Sequence, residues 1–138
     1  VANATVPQIT LHIGGSFGAG NYGMCGRAYS PRFLFTWPNN RIAVMGGEQA
    51  AKVMSIVTEE KLRRQGQTAD PAMLQKMEQG IIKRMEGESQ ALFATARLWD
   101  DGLIDPRDSR KVLAYCLSIC REAELRPLRT NTFGVARM

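Results

Sequence analysis

Apolar and polar residues change rhythm along the chain. From Val6 to Ile13 they alternate, with β-branched residues among them, which predicts a strand. Phe33–Trp37 and Ile42–Met45 are short apolar runs bounded by Pro31, Pro38-Asn39-Asn40 and Gly46-Gly47, and they predict two more strands. Between the first two, Gly14–Gly20 reads as a tight loop and Asn21–Tyr29 as a short helix. Beyond Gly46-Gly47 the period becomes helical. Ala50, Val53, Met54 and Val57 fall on one face of a helix that runs to Gln65 and stops at Gly66. Asp70-Pro71 is a second helix start, with Asp at the N-cap and Pro in the first turn; Leu74, Met77, Ile81 and Met85 are its stripe. Gln90–Leu98 predicts a further short helix, and Trp99–Ile104 a turn and short strand centred on Gly102. The last long helix opens at Asp105-Pro106, with Asp108 near its positive end and Val112, Cys116, Ile119 and Ala123 as the buried stripe. From Pro127 to Met138 there is no period. Short strands feeding glycine turns and then helices predict an α/β layer.

Composition narrows the class. The 138 residues, 44% hydrophobic, suit one domain or a piece of one with a buried core. No apolar run approaches a membrane span, and no basic-then-apolar leader is visible. Val1 in place of Met suggests processing, trimming or a fragment. The net charge is +5, from 18 Lys and Arg against 13 Asp and Glu. Those cations are dispersed, and Arg121, Arg126, Arg129 and Arg137 do not cluster with stacking aromatics, so nucleic acid is not an expected partner. Cys25, Cys116 and Cys120 form no disulfide framework, which suits a reducing compartment.

Candidate chemistry concentrates where the glycines do. Gly14-Gly15-Ser16-Phe17-Gly18-Ala19-Gly20 runs from a strand towards a helix. Such a segment offers unpaired N–H groups and a positive helix end, suited to a phosphate or a developing oxyanion. It is equally readable as a tight strand-to-helix turn. Neither the phosphate-loop nor the dinucleotide spacing is present. Val44-Met45-Gly46-Gly47-Glu48 repeats the device, so two glycine-lined helix starts face one pocket or are simple starts. The single histidine, His12, lies on the first strand, and Ser16 lacks a nucleophile-elbow pattern; a Ser-His hydrolase is not supported. Cys116 and Cys120 read as packing residues, since the further ligands of a zinc site are missing. Among Asp100, Asp101, Asp105 and Asp108, the last two read as helix-start groups, and no metal is expected. Backbone donors without a side-chain acid, base or nucleophile suit chemistry carried by a cofactor.

Longer blocks add a resemblance. Gly14 through Tyr29, Trp37 through Ala51, and Ala96-Arg97-Leu98-Trp99-Asp100-Asp101-Gly102-Leu103-Ile104-Asp105-Pro106 resemble, in order, the carboxyltransferase (β) subunits of biotin-dependent acyl-CoA carboxylases. Phe133-Gly134 and Arg137-Met138 are similar to that family's C-terminus. The likeness is to the methylcrotonyl-CoA and geranyl-CoA branch. Gly87–Phe93 stands where the methylcrotonyl enzyme has a tyrosine-rich stretch. The resemblance implies a crotonase-like α/β superhelix, with residues 1–138 as the last portion of the C-terminal carboxyltransferase domain, and the N-terminal domain absent. It implies transfer of a carboxyl group from carboxybiotin to a branched unsaturated acyl-CoA, 3-methylcrotonyl-CoA before geranyl-CoA. In the family the glycine loop holds the biotin enolate. By motif the donors are the amides of Ala19 and Gly20, with Phe17, Gly18, Gly46 and Gly47 shaping the biotin site. The implied partners are a biotin carboxylase and biotin carrier α subunit, which uses ATP and bicarbonate, and further β subunits in a hexameric ring. The implied compartment is bacterial cytoplasm or mitochondrial matrix. The chain alone is then expected to be inactive. A non-catalytic assembly protein on the same fold is the alternative; its mark would be a degenerate glycine loop, and Gly18-Ala19-Gly20 is intact.

Overall fold

A computed structural model describes residues 1–127. Phe133-Gly134, Arg137-Met138 and nearly all of the aperiodic tail therefore lie outside the described residues. The spine is a bent ribbon of two parallel runs. β1 (Ile9–His12) pairs with β3 (Phe33–Thr36), Ile9 opposite Phe33 and His12 opposite Thr36. The first run continues through Ile13-Gly14 into β2 (Gly15–Phe17). The second continues through Trp37–Asn40 into β4 (Arg41–Ala43), where Gly15 stands opposite Arg41 and Phe17 opposite Ala43. On its far side β3 is closed by the next turn of chain. Thr36 donates its N–H to the Gly102 carbonyl at 3.1 Å and accepts from Ile104 at 3.0 Å. The strand expected around Gly102 is thus a single bridge between Thr36 and Leu103.

Two local expectations are corrected here. Gly14–Gly20 is not a loop: its middle is β2, and Gly18 opens α1 (Gly18–Gly23). Pairing with β4 overrides the turn preference of the glycines, as tertiary context commonly does. The helix expected over Asn21–Tyr29 is split. α1 stops at Gly23, Cys25 takes a left-handed backbone (φ 57°), and Arg27–Tyr29 is a separate turn of 3-10 helix.

α2 (Gly47–Arg64) and α3 (Pro71–Glu88) lie side by side and antiparallel. A Cβ on Gly47 would stand 3.5 Å from the Ile82 backbone, and further along Thr58 Oγ1 lies 3.8 Å from the Met77 sulfur. The stripe Leu74, Met77, Ile81, Met85 is half-buried, as its spacing predicts. The face expected for α2 is corrected. Val53, Met54 and Val57 are exposed, and the buried residues are Ala51 and Ser55. Gly47, Ala51 and Ser55 recur every four residues, and such a small-residue seam lets two helix backbones approach closely.

Asp70 caps α3 as predicted, accepting from the Ala72 N–H at 3.0 Å. α4 (Ala91–Thr95) is shorter than its sequence pattern. Asp105 caps a 3-10 turn, Pro106–Asp108, that leads into α5 (Ser109–Leu125). α5 is tied to the ribbon by Trp37 Nε1, which donates to Ser109 Oγ at 2.8 Å. Cys116 is buried and Val112 and Ile119 are half-buried, whereas Ala123 is exposed, one turn beyond the ribbon's reach. The core centres on Leu34, Thr36, Asn40, Ala51, Ala91, Ala94 and Cys116.

Candidate functional site

Because β2 and β4 are parallel neighbours, the helices that follow them start side by side. Phe17 is the N-cap of α1, with extended backbone and no side-chain cap. Gly46 is the N-cap of α2, again without a side-chain cap. Both starts therefore leave backbone donors for something outside the helix. The two turns touch through Gly18. Its φ is +51°, and a Cβ there would lie 2.9 Å from the Val44 carbonyl oxygen. Position 18 needs glycine both for its left-handed backbone and for that approach. Asn21 steadies the turn by donating from Nδ2 to Ser16 Oγ at 2.8 Å.

The expected site residues fall into two clefts. Phe17, Gly46 and Gly47 line one of about 580 Å³, shared with Arg41, Lys83 and Gln90. Gly20 lines a second, of about 420 Å³, which runs along β1 from Ile9 to Ser16 and includes Asn40. Gly18 stands between the two helix starts, and Ala19 is exposed beside it. Among the described residues no hydrogen-bond partner is found for the amides of Ala19 and Gly20. The space over Gly20 is open: a Cβ there would meet nothing within 4 Å. Gly47, by contrast, is a packing glycine against α3 as well as a cleft wall.

Some lining residues escaped the motif reading. Arg41 donates from Nη1 to the Glu86 carbonyl at 3.0 Å and so holds the end of α3 against the cleft. Gly87, Ser89 and Gln90 line the same wall. They belong to the stretch that departs from the methylcrotonyl pattern, the one signal that pointed to them.

His12 lines the second cleft, and the cysteines and aspartates described next lie outside both. Burial lowers the pKa of His12 against a smaller opposing effect of Asp100. The His12 ring lies 3.5 Å from the Thr36 hydroxyl. Burial pushes the Cys116 thiol up, with Cys120 adding to it. Asp100 accepts from the Thr95 hydroxyl at 2.9 Å, and Asp101 accepts from the Leu34 N–H at 2.8 Å. The Arg107 guanidinium, and then its N–H, hold the Asp105 carboxyl below its ordinary range. Asp101 thus closes β3 and Asp105 caps the 3-10 turn, whereas Asp108 stands at the N-cap of α5 without a side-chain cap hydrogen bond. No helix of the described residues is long and apolar enough to cross a membrane.

Comparison with known proteins places this geometry. A family profile described as the carboxyl transferase domain matches residues 1–133. The mitochondrial methylcrotonoyl-CoA carboxylase beta chain of Dictyostelium discoideum is 50% identical over all of this chain and 23% of its own length. The crystal structure of the Pseudomonas aeruginosa geranyl-CoA carboxylase beta subunit superposes with a TM-score of 0.87 at 60% identity, over 99% of this chain and 25% of that one. Transcarboxylase 12S, solved as a hexamer with hydrolysed methylmalonyl-coenzyme A bound, gives a TM-score of 0.68 at 29% identity, over 98% of this chain and 24% of its own. The chain therefore spans about a quarter of the length of the relatives it matches. Its fold is the crotonase-like α/β fold of carboxyltransferases. Relatives occur both in mitochondria and in bacteria. The chain belongs to the carboxyl transferase domain family.

Proposed function

We propose that this chain is the last portion of the C-terminal domain of a biotin-dependent acyl-CoA carboxylase β subunit, working in carbon–carbon bond formation. The observation that carries the reading is the family match across residues 1–133; two uncapped helix starts side by side, at Gly18 and at Gly47, support it. Carboxybiotin, delivered by an α subunit that spends ATP and bicarbonate, supplies the carboxyl group. This chain supplies the N–H groups of Ala19 and Gly20, which point at the negative charge that develops on an oxygen as the carboxyl departs. The open space over Gly20 fits the close approach of a planar polar group. Phe17 and Gly18 shape that approach, and Gly46 and Gly47 form the neighbouring wall. No side-chain base is required of this chain. The acyl-CoA is bound by the domain outside these residues, across a ring of β subunits, in a bacterial cytoplasm or a mitochondrial matrix.

The acceptor is a branched unsaturated acyl-CoA. The β chains named for methylcrotonoyl-CoA favour 3-methylcrotonyl-CoA. The 60% identity to the geranyl-CoA carboxylase subunit supports a second reading, geranyl-CoA. The test is ATP-dependent fixation of labelled bicarbonate by the complete reading frame, assembled with its biotinylated α subunit, on each acyl-CoA in turn. Fixation on one identifies the acceptor. A correctly assembled complex that fixes on neither overturns the reading and favours a non-catalytic assembly protein.

A further inference from the structure

The segment that carries the Ala19 and Gly20 amides, α1, is a poor helix by its own composition. Three of its six residues are glycine, the weakest helix former after proline. It is far shorter than a helix that is stable in isolation. It has no side-chain cap, no acidic residue in its first turn and no buried residue. Core packing therefore does not set where its amides point. Polar contacts do.

Asn21, one residue past Gly20, supplies the central one. Asparagine is disfavoured inside a helix because its side chain competes for backbone groups. Here that side chain is engaged elsewhere. Its Nδ2 donates to Ser16 Oγ on β2 at 2.8 Å, the one side-chain hydrogen bond that α1 makes among the described residues. The same carboxamide rests on Gly26, where a Cβ would overlap Asn21 Oδ1 and Cγ. Gly26 has φ −67° and ψ 179°, a backbone open to any residue, so glycine stands there for the space. Gly26 is buried and donates its N–H to the Asn21 carbonyl at 2.8 Å. Cys25, with its left-handed backbone, donates to the Tyr22 carbonyl at 3.1 Å. Together these two bonds close the end of α1. Thr10 on β1 ties that turn down, its hydroxyl donating to the Cys25 carbonyl at 2.8 Å. Tyr22 also meets Tyr29 edge to face at 6.0 Å, but both rings are exposed. The Asn21 carboxamide is thus wedged between the strand that enters α1 and the turn that leaves it.

We infer that Asn21 is a positioning residue for carboxyl transfer: its carboxamide, held between Ser16 and Gly26, fixes the angle at which the Ala19 and Gly20 amides are presented. The inference rests on the proposed function, which makes those amides the donors. An oxyanion donor works because it is already aimed before charge develops. A misplacement of about 1 Å from a change away from the chemistry costs about 10²-fold in rate. Asn21 acts through the backbone it holds and needs no contact of its own with the reacting atoms. The inference is independent of which acyl-CoA is carboxylated.

Steady-state kinetics of the complete reading frame, assembled with its biotinylated α subunit, test it through Asn21→Ala, Ser16→Ala and the double variant. Asn21→Ala is expected to lower kcat for bicarbonate fixation by about 10-fold to 100-fold. The KM for the acyl-CoA is expected to stay within about 2-fold, since the acyl-CoA is held outside these residues. Because the two side chains act through one hydrogen bond, Ser16→Ala is expected to lower kcat as well, and the double variant to be no slower than Asn21→Ala. Amide hydrogen exchange gives a local readout. The Met24 and Gly26 amides, which donate to the Gly20 and Asn21 carbonyls, are expected to exchange about 10-fold faster in Asn21→Ala, with the Thr36 amide unchanged. A kcat equal to the parent's overturns the inference. So does a change confined to KM, and so do losses that add between the two single variants, which separate Asn21 from Ser16. If Asn21→Ala does not assemble, Ser16→Ala decides alone, and an unchanged kcat there overturns the inference. A parent complex that fixes no bicarbonate overturns the reading beneath it; a parent that fixes beside an unimpaired Asn21→Ala overturns this inference and leaves that reading standing.

Discussion

Gly18 and Gly20 stand two residues apart and are glycine for different reasons. At Gly18 the backbone is left-handed and a Cβ would press on the Val44 carbonyl at 2.9 Å. Gly18→Ala is therefore expected to cost at least about 1–2 kcal/mol, the ordinary penalty of that conformation, read as a lower melting temperature of the complete protein. At Gly20 a side chain meets open space. Gly20→Val is expected to leave the melting temperature unchanged and to cut carboxyl transfer by about 10²–10³, the scale of losing one oxyanion donor. Full activity in that variant would show that the approach to the Gly20 amide is not used. His12 gives a pH signature. Burial favours its neutral ring in the folded state, so its folded pKa lies below the unfolded value of 6.5. The unfolded chain then binds more protons just below that pH, and stability falls as the pH drops below 6.5, through the folded pKa. His12→Leu is expected to flatten that slope in urea titrations between pH 7 and pH 5. These residue types and their grouping were legible in the sequence. The division between a steric glycine and an open one was not, because it depends on which strand end lies across from each.

At the level of elements, periodicity located every long helix but chose the wrong face of α2. Val53, Met54 and Val57 satisfy a helical stripe as well as the true seam does, and a hydrophobicity pattern weights them above Gly47, Ala51 and Ser55. The close approach of α3, where the Ile82 backbone nears Gly47, reverses that weighting. Small residues win where two backbones meet. Ala51→Leu is accordingly expected to destabilise the complete protein by about 1–3 kcal/mol through overpacking. Val53→Ala is expected to cost much less by contact with α3, since Val53 is 47% exposed. Thermal unfolding of the two variants side by side checks the orientation of α2; the reverse order of effects would put Val53 in the seam. The glycine run was misread for a related reason. β2 exists because β4 is there to pair with it, and nothing local to Gly15-Ser16-Phe17 announces that partner.

On the scale of the whole molecule, surface area sets the last expectation. A folded monomer of 15.3 kDa exposes about 7,100 Å². This chain exposes 10870 Å². Part of the excess is apolar and lies on one side of α2: Val53, Met54, Ile56 and Val57 are each between 46% and 54% exposed. Tyr115 and Leu117 on α5 are exposed at 69% and 60%. Among the described residues the buried hydrophobic set is correspondingly small, with Leu34 its one large member beside alanines and cysteines. Apolar helix faces of this size cover something in the protein that carries them. The 138 residues expressed alone are therefore expected to self-associate with rising concentration in sedimentation velocity and to bind an apolar dye. The complete reading frame is expected to bind little dye under the same conditions. A monodisperse, dye-silent 138-residue monomer with cooperative unfolding would mean that the ribbon and its helices are stable without covering.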